Sequence, residues 1–187
     1  MNIDEFLNAI GHSSRFQLAE RAKNQSWVKY PIEADSEFVP PPLEGAISND
    51  SRIIIVSGPG AAGKSMVAKC CATQSDIAYF NLSGRTVARD SARGLIGEAF
   101  SDSRYSDVVR AIREGKYALI FDALDEARLA SGDVPFIDFL RGLADLVRDH
   151  KGHVSLVLFS REETVEWIKL IFEDEGLSGV VNFKLQP

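Results

Sequence analysis

One stretch restricts the fold of this chain more than any other: Ile53-Ile54-Ile55-Val56-Ser57-Gly58-Pro59-Gly60-Ala61-Ala62-Gly63-Lys64-Ser65. Four β-branched residues in succession, with no polar position among them, describe a strand buried on both faces, as in a parallel sheet. Gly58-x-x-x-x-Gly63-Lys64-Ser65 follows at once and matches the phosphate-binding loop at every fixed position. From Met66 the residues turn helical (Met66-Val67-Ala68-Lys69-Cys70-Cys71-Ala72), so the loop lies between a strand and a helix. That is the context the motif requires, and a glycine-rich turn matching by chance would need neither flank.

The residue types follow from the chemistry of holding an anion. Gly58, Gly60 and Gly63 admit backbone conformations that let successive N–H groups face one point. The helix that begins near Gly63 adds its positive end to the same cradle. Lys64 is placed to reach the β- and γ-phosphates of a nucleotide, and the Ser65 hydroxyl to take a Mg²⁺ position. The expected nucleotide-contacting set is therefore Gly58, Pro59, Gly60, Ala61, Ala62, Gly63, Lys64, Ser65 and Met66.

A second landmark lies downstream, where Ala118-Leu119-Ile120-Phe121 is an apolar strand ending in Asp122. A carboxylate there would hold Mg²⁺ opposite Ser65, mostly through water, because this ion keeps several of its waters. Asp125 and Glu126 stand just past the strand end, where a carboxylate can orient and polarise an attacking water. Read alone, the acidic cluster is a solvated loop; downstream of a complete phosphate loop it reads as part of the site. A third strand, Val154–Phe159, ends in Ser160-Arg161. Arg161 either meets a terminal phosphate or forms a surface ion pair with Glu162 or Glu163.

The 187 residues suffice for one well-buried domain with a short appendage. Residues 1–50 read as a helical arm and Pro-rich linker: short helices at 3–10 and 14–23, an extended Trp27–Pro31, and a stiff Phe38-Val39-Pro40-Pro41-Pro42. Residues 51–187 read as the nucleotide-binding core. Its strands fall at 53–57, 77–82, 118–122, 154–159 and 180–185; its helices at 63–74, in the stretch 85–115, from 133 with Pro135 in the first turn, and at 162–173. Leu82-Ser83-Gly84 continues as Arg85-Thr86, not Gly-Gln, so it reads as a turn and not as a transporter-type ATPase signature.

The net charge of −6 argues against a broad nucleic-acid-binding face. No apolar run reaches membrane length, and Met1-Asn2-Ile3-Asp4-Glu5 lacks a signal peptide's basic start and apolar core. Cys70 and Cys71 are adjacent and are the only cysteines, which excludes a disulfide framework. His12, His150 and His153 have no cysteines beside them to make a zinc site. A cytoplasmic protein without membrane contact is the expectation.

Taken together, Gly58–Ser65, Phe121-Asp122-Ala123-Leu124-Asp125-Glu126 and Phe159-Ser160-Arg161 resemble the NACHT-type nucleotide-binding domains of the STAND signal-transduction ATPases, relatives of AAA+ proteins. The resemblance covers about residues 50–187. It implies a three-layer α/β/α P-loop NTPase with a parallel five-stranded sheet, order 5-1-4-3-2 along the chain, and the site at the C-terminal strand ends. It implies that Lys64 and Ser65 bind phosphate and Mg²⁺, and that Asp122 is the Mg²⁺ aspartate. Asp125, Glu126 and Arg161 would be the catalytic group, Arg161 as first sensor. The implied activity is an ATP/ADP switch with slow Mg²⁺-dependent hydrolysis in a signalling or defence protein, with nucleotide-dependent homo-oligomerisation. The family's helical lid, winged helix and sensor domain are missing from this chain, so a fragment of a longer protein is expected. Two other readings stay open. A small phosphotransferase would use the same loop, with Arg85, Arg89, Arg93 and Arg104 as acceptor-binding residues. A non-catalytic interaction module would hold nucleotide only as a structural element. No Asn/Thr-Lys-x-Asp guanine motif is present, which favours ATP.

Overall fold

The computed structural model describes residues 1–10, 39–75, 77–149 and 153–186. The helix expected at 14–23 and the extended run 27–31 lie outside them. In chain order the elements are α1 (Ile3–Ile10), β1 (Leu43–Glu44), β2 (Ile53–Ser57), α2 (Lys64–Gln74), β3 (Ala78–Asn81), α3 (Ser91–Phe100), a 3₁₀ turn (Asp102–Arg104) and α4 (Tyr105–Arg113). They continue as β4 (Leu119–Asp122), α5 (Leu124–Ser131), α6 (Asp133–Val147), β5 (Leu156–Ser160), α7 (Glu162–Asp174) and β6 (Val180–Leu185).

All five residues of β2 are buried, as their apolar run requires. Successive strand residues point to opposite faces, and the core divides accordingly. Ile53 and Ile55 join Phe80, Leu119, Phe121, Leu156 and Leu158 against α3 to α7. Ile54 and Val56 join Tyr79, Ile120, Val157 and Phe159 against α1 and α2. The result is a mixed α/β fold with helices on both sides of one sheet.

Among the described residues the sheet has six strands in the order β1-β6-β2-β5-β4-β3. The expected all-parallel, five-stranded sheet in the order 5-1-4-3-2 is corrected on this point: β1 adds at one edge and changes both the count and the order. It runs antiparallel to β6, with Leu43 opposite Leu185 and Glu44 opposite Lys184. The other pairings, β2 with β5 and β6, and β4 with β3 and β5, are parallel. An open β6 edge would leave ladder groups unpaired, and β1 covers part of it. The α-amino group of Met1 in turn donates to the Leu43 carbonyl at 2.9 Å, and Phe6 meets Phe183 edge-to-face at 5.5 Å.

The helical stretch expected within 85–115 is interrupted. Ser101 takes a left-handed φ of 73° and separates α3 from the turn and α4. Gly115 ends α4 as expected, with φ of 63° and the Lys116 N–H closing back on the Ala111 carbonyl at 2.8 Å. On the outer side of the helical layer, the Arg128 guanidinium of α5 lies 4.2 Å from the ring centre of Trp167 on α7 and also pairs with Asp133.

Gly142, in the middle of α6, lets the loop ahead of α3 cross the helix closely: a Cβ there would lie 2.2 Å from the Arg89 carbonyl oxygen. Ala is the better helix former by about 1 kcal/mol, but a backbone oxygen cannot yield as a flexible side chain can. Overpacking of about 1–3 kcal/mol therefore wins. Gly142→Ala is expected to lower the urea midpoint without changing the slope, as read by circular dichroism.

Candidate phosphate-binding cleft

The loop after β2 is shaped by two left-handed residues, Ala61 at φ 61° and Gly63 at φ 82°. Gly63 is also the N-cap of α2, and the first helical bond runs from the Val67 N–H to its carbonyl at 2.9 Å. The N–H groups of Lys64, Ser65 and Met66 stand ahead of that bond, at the positive end of the helix. Alternating left- and right-handed residues gather N–H groups into an anion-binding concavity. Gly58 is closely packed, its Cβ position lying 3.2 Å from Leu185, whereas a Cβ at Gly60 would meet nothing within 4 Å.

This loop forms one wall of a cleft of about 290 Å³. Gly60 to Met66, Asp122, Ala123, Asp125, Glu126 and Arg161 line it. Gly58 and Pro59 are not lining residues; their carbonyls accept from the Lys64 ammonium, at 2.9 and 2.7 Å. The structure thus brings together the residues that sequence reasoning selected from three separate segments. The volume sits just under the roughly 300–1,000 Å³ of drug-sized ligand pockets.

Asp122 is only 2% exposed. Its Oδ2 accepts from the Tyr79 hydroxyl at 2.8 Å and its Oδ1 from the Ala123 N–H at 2.8 Å. The Ser65 hydroxyl also hydrogen-bonds to it. Burial raises the Asp122 pKa; these three bonds oppose the rise, and the nearby Asp125 charge adds to it. Burial likewise holds the Lys64 ammonium below the usual lysine value, against the attraction of Asp125 and with the help of Arg161.

Asp125 and Glu126 occupy the first turn of α5, whose N-cap Ala123 is left-handed at φ 63°. Asp125 is nearly buried and pairs with Arg161: the guanidinium Nε lies 3.0 Å from Oδ2, and the Arg161 backbone N–H donates to Oδ1 at 3.3 Å. Arg161 therefore turns inward to the cleft, not to Glu162 or Glu163. Glu126 accepts a short hydrogen bond from the Ser83 hydroxyl.

Three contributors went unrecognised in the sequence: Tyr79, Ser83 and Ala123. Tyr79 carried a usable signal, since a tyrosine buried inside an apolar strand needs a partner for its hydroxyl. Ser83 and Ala123 carried none, because a turn serine and a left-handed alanine take their roles from tertiary placement.

No family model matches the chain, and the search of curated proteins finds no match. Among solved structures, one titled "Crystal structure of FIGL-1 AAA domain in complex with ADP" is 16% identical, over 73% of this chain and 44% of that one, with a TM-score of 0.38. This chain thus spans less than half of that structure's length. At that score the likeness is loose. Among the described residues no helix is long and apolar enough to cross a membrane.

A carboxyl whose pKa is raised on folding binds its proton more tightly in the folded state. Its contribution to stability is fully present below the unfolded carboxyl pKa and is lost as pH rises through the folded value. Asp122→Asn removes that loss. The nucleotide-free variant is expected to melt above the parent at pH 7, with the two converging as the solution is acidified; scanning calorimetry across pH reads the difference.

Proposed function

We propose that the chain is an ATP- and ADP-binding switch domain of the NACHT/STAND kind, the nucleotide-binding part of a larger signalling or defence NTPase. The observation that carries this reading is convergence. A loop with left-handed Ala61 and Gly63, two cations (Lys64 and Arg161) and an exposed serine hydrogen-bonded to a buried aspartate all face one cleft. Anionic phosphates match the first two groups, and a divalent cation the third.

Ser65 and Asp122 fit magnesium. Both offer oxygen, they are hydrogen-bonded to each other, and Mg²⁺ is typically held by one or two carboxylates together with waters and phosphate oxygens. Among the described residues no group of three or more His, Cys, Asp or Glu is gathered for a metal, so phosphate and water would complete the ligand set. When bound, the ion would neutralise charge on the phosphates.

The remaining groups act by charge and position. Lys64 releases the Gly58 and Pro59 carbonyls to reach phosphate. Arg161 exchanges Asp125 for the terminal phosphate of ATP and keeps Asp125 when ADP is bound, so the ion pair distinguishes the two nucleotides. The release of Asp125, at the start of α5, is the step that starts the switch. With Asp125 held by Arg161 and Glu126 by Ser83, neither carboxylate is free in this state to orient water, which is consistent with slow hydrolysis. The acceptor arginines of a phosphotransferase find little support: Arg89 pairs with Asp145 and Arg93 lies over Tyr105, and neither lines the cleft.

Charge-assisted hydrogen bonds are worth about 1.5–3 kcal/mol, or roughly 10- to 150-fold in affinity. Lys64→Ala is accordingly expected to weaken ATP and ADP binding by at least tenfold in titration calorimetry; unchanged affinity for the folded variant would reject the proposed site. Arg161→Ala is expected to weaken ATP alone by about tenfold, so that ATP and ADP bind alike. Turnover in the parent that disappears in Glu126→Gln would set aside the non-catalytic alternative.

A further inference from the structure

From the pairing of a buried tyrosine on β3 with the carboxylate at the end of β4, we infer that Tyr79 is a positioning residue for the magnesium-binding aspartate, an inference that rests on the nucleotide reading above. Tyr79 is fully buried on the face of the sheet that carries α2. Its backbone neighbour across the ladder is Ile120, two residues before Asp122, so the ring runs along the sheet face and its hydroxyl reaches the carboxylate. The bond is short, 2.8 Å, and both partners are buried.

The carboxylate has two oxygens, and the structure assigns each a different donor. Oδ1 takes the Ala123 N–H from the backbone at the strand-to-helix turn; Oδ2 takes the Tyr79 hydroxyl from the adjacent strand. Together they fix the rotation of the carboxyl group, which one bond alone would not. Ser65, at the start of α2, hydrogen-bonds to the same carboxyl group. A carboxylate oxygen has lone pairs for two partners, so Tyr79 can hold Oδ2 without displacing a metal or its water. Tyr79 itself lines no part of the cleft and touches no phosphate position. Its hydrogen bond to Asp122 links it to the cleft.

Residues that orient a metal ligand from behind typically account for 10- to 100-fold in metal affinity. The test uses titration calorimetry of ATP with the whole chain, in magnesium and in EDTA, for the parent, Tyr79→Phe, Asp122→Asn and the double variant. Phenylalanine keeps the ring in the core and removes only the hydroxyl. The expected result is a Tyr79→Phe affinity about tenfold weaker in magnesium and unchanged in EDTA, with the double variant no weaker than Asp122→Asn. A merely structural tyrosine would lower both affinities in the same proportion, and that result overturns the inference. So does parental affinity in magnesium, an additive double variant, or a Tyr79→Phe protein that does not fold, since the hydroxyl would then be serving the core. Parental binding that does not depend on magnesium overturns it as well. Absence of Lys64-dependent ATP binding in the parent, with or without magnesium, overturns the nucleotide reading and this inference together; the preceding outcomes leave nucleotide binding in place.

Discussion

Everything at the cleft depends on β2 having no exposed face. A strand buried above and below must satisfy its backbone through neighbours on both edges, and β5 and β6 supply them in parallel. Parallel neighbours end on the same side of the sheet as β2 does. The loop after β2, Arg161 after β5 and Asp122 at the tip of β4 consequently meet without any need for the chain to fold back. Side-chain alternation does the rest: Tyr79 and Asp122 fall on the face that carries α2, and the neighbouring Phe80 and Phe121 stack at 5.0 Å on the other.

The electrostatics of the cleft are those of a site whose charges are held in internal pairs. Three carboxylates and two side-chain cations face a small volume, and each is engaged by a neighbour within the protein. Asp122 is held by hydrogen bonds, Asp125 by Arg161, Glu126 by Ser83, and Lys64 by two loop carbonyls. A ligand entering such a site does not fill vacant valences; it exchanges partners. That makes affinity depend on differences between bonds of similar strength, and it makes a change of partner at Asp125 a change at the first turn of a helix.

Much of this was legible in the sequence, for identifiable reasons. The four β-branched residues at 53–56 could only be a doubly buried strand, and Gly58-x-x-x-x-Gly63-Lys64-Ser65 has few uses other than holding phosphate. The inward faces of α6 and α7 followed from the spacing of Phe136, Phe139, Leu140 and Leu143, and of Val165, Ile168 and Phe172, all buried. What escaped was set by tertiary context. Leu43-Glu44 is a two-residue strand that exists because β6 offers an edge, and nothing in its own pattern marks it. The helix Leu124–Ser131 was not expected, because Asp125 and Glu126 stand out in the sequence only as an acidic cluster past a strand end; those charges complement a helix N-terminus. Arg161 offered two acidic neighbours in sequence and chose a third carboxylate, 36 positions away in the chain.

The stacking of Arg128 on Trp167 has an optical consequence. Arg128 lies one turn beyond Asp125 on α5, a helix of eight residues spanning roughly 12 Å. An indole's emission shifts with the charge and solvent at its ring face, and here a guanidinium belonging to the same short helix as Asp125 covers that face at 4.2 Å. A tilt of α5 against α7 would shift the cation over a ring that is already 37% exposed. With Trp27 replaced, so that Trp167 alone emits, the ring would be a gauge of helix position placed outside the cleft and readable without a label.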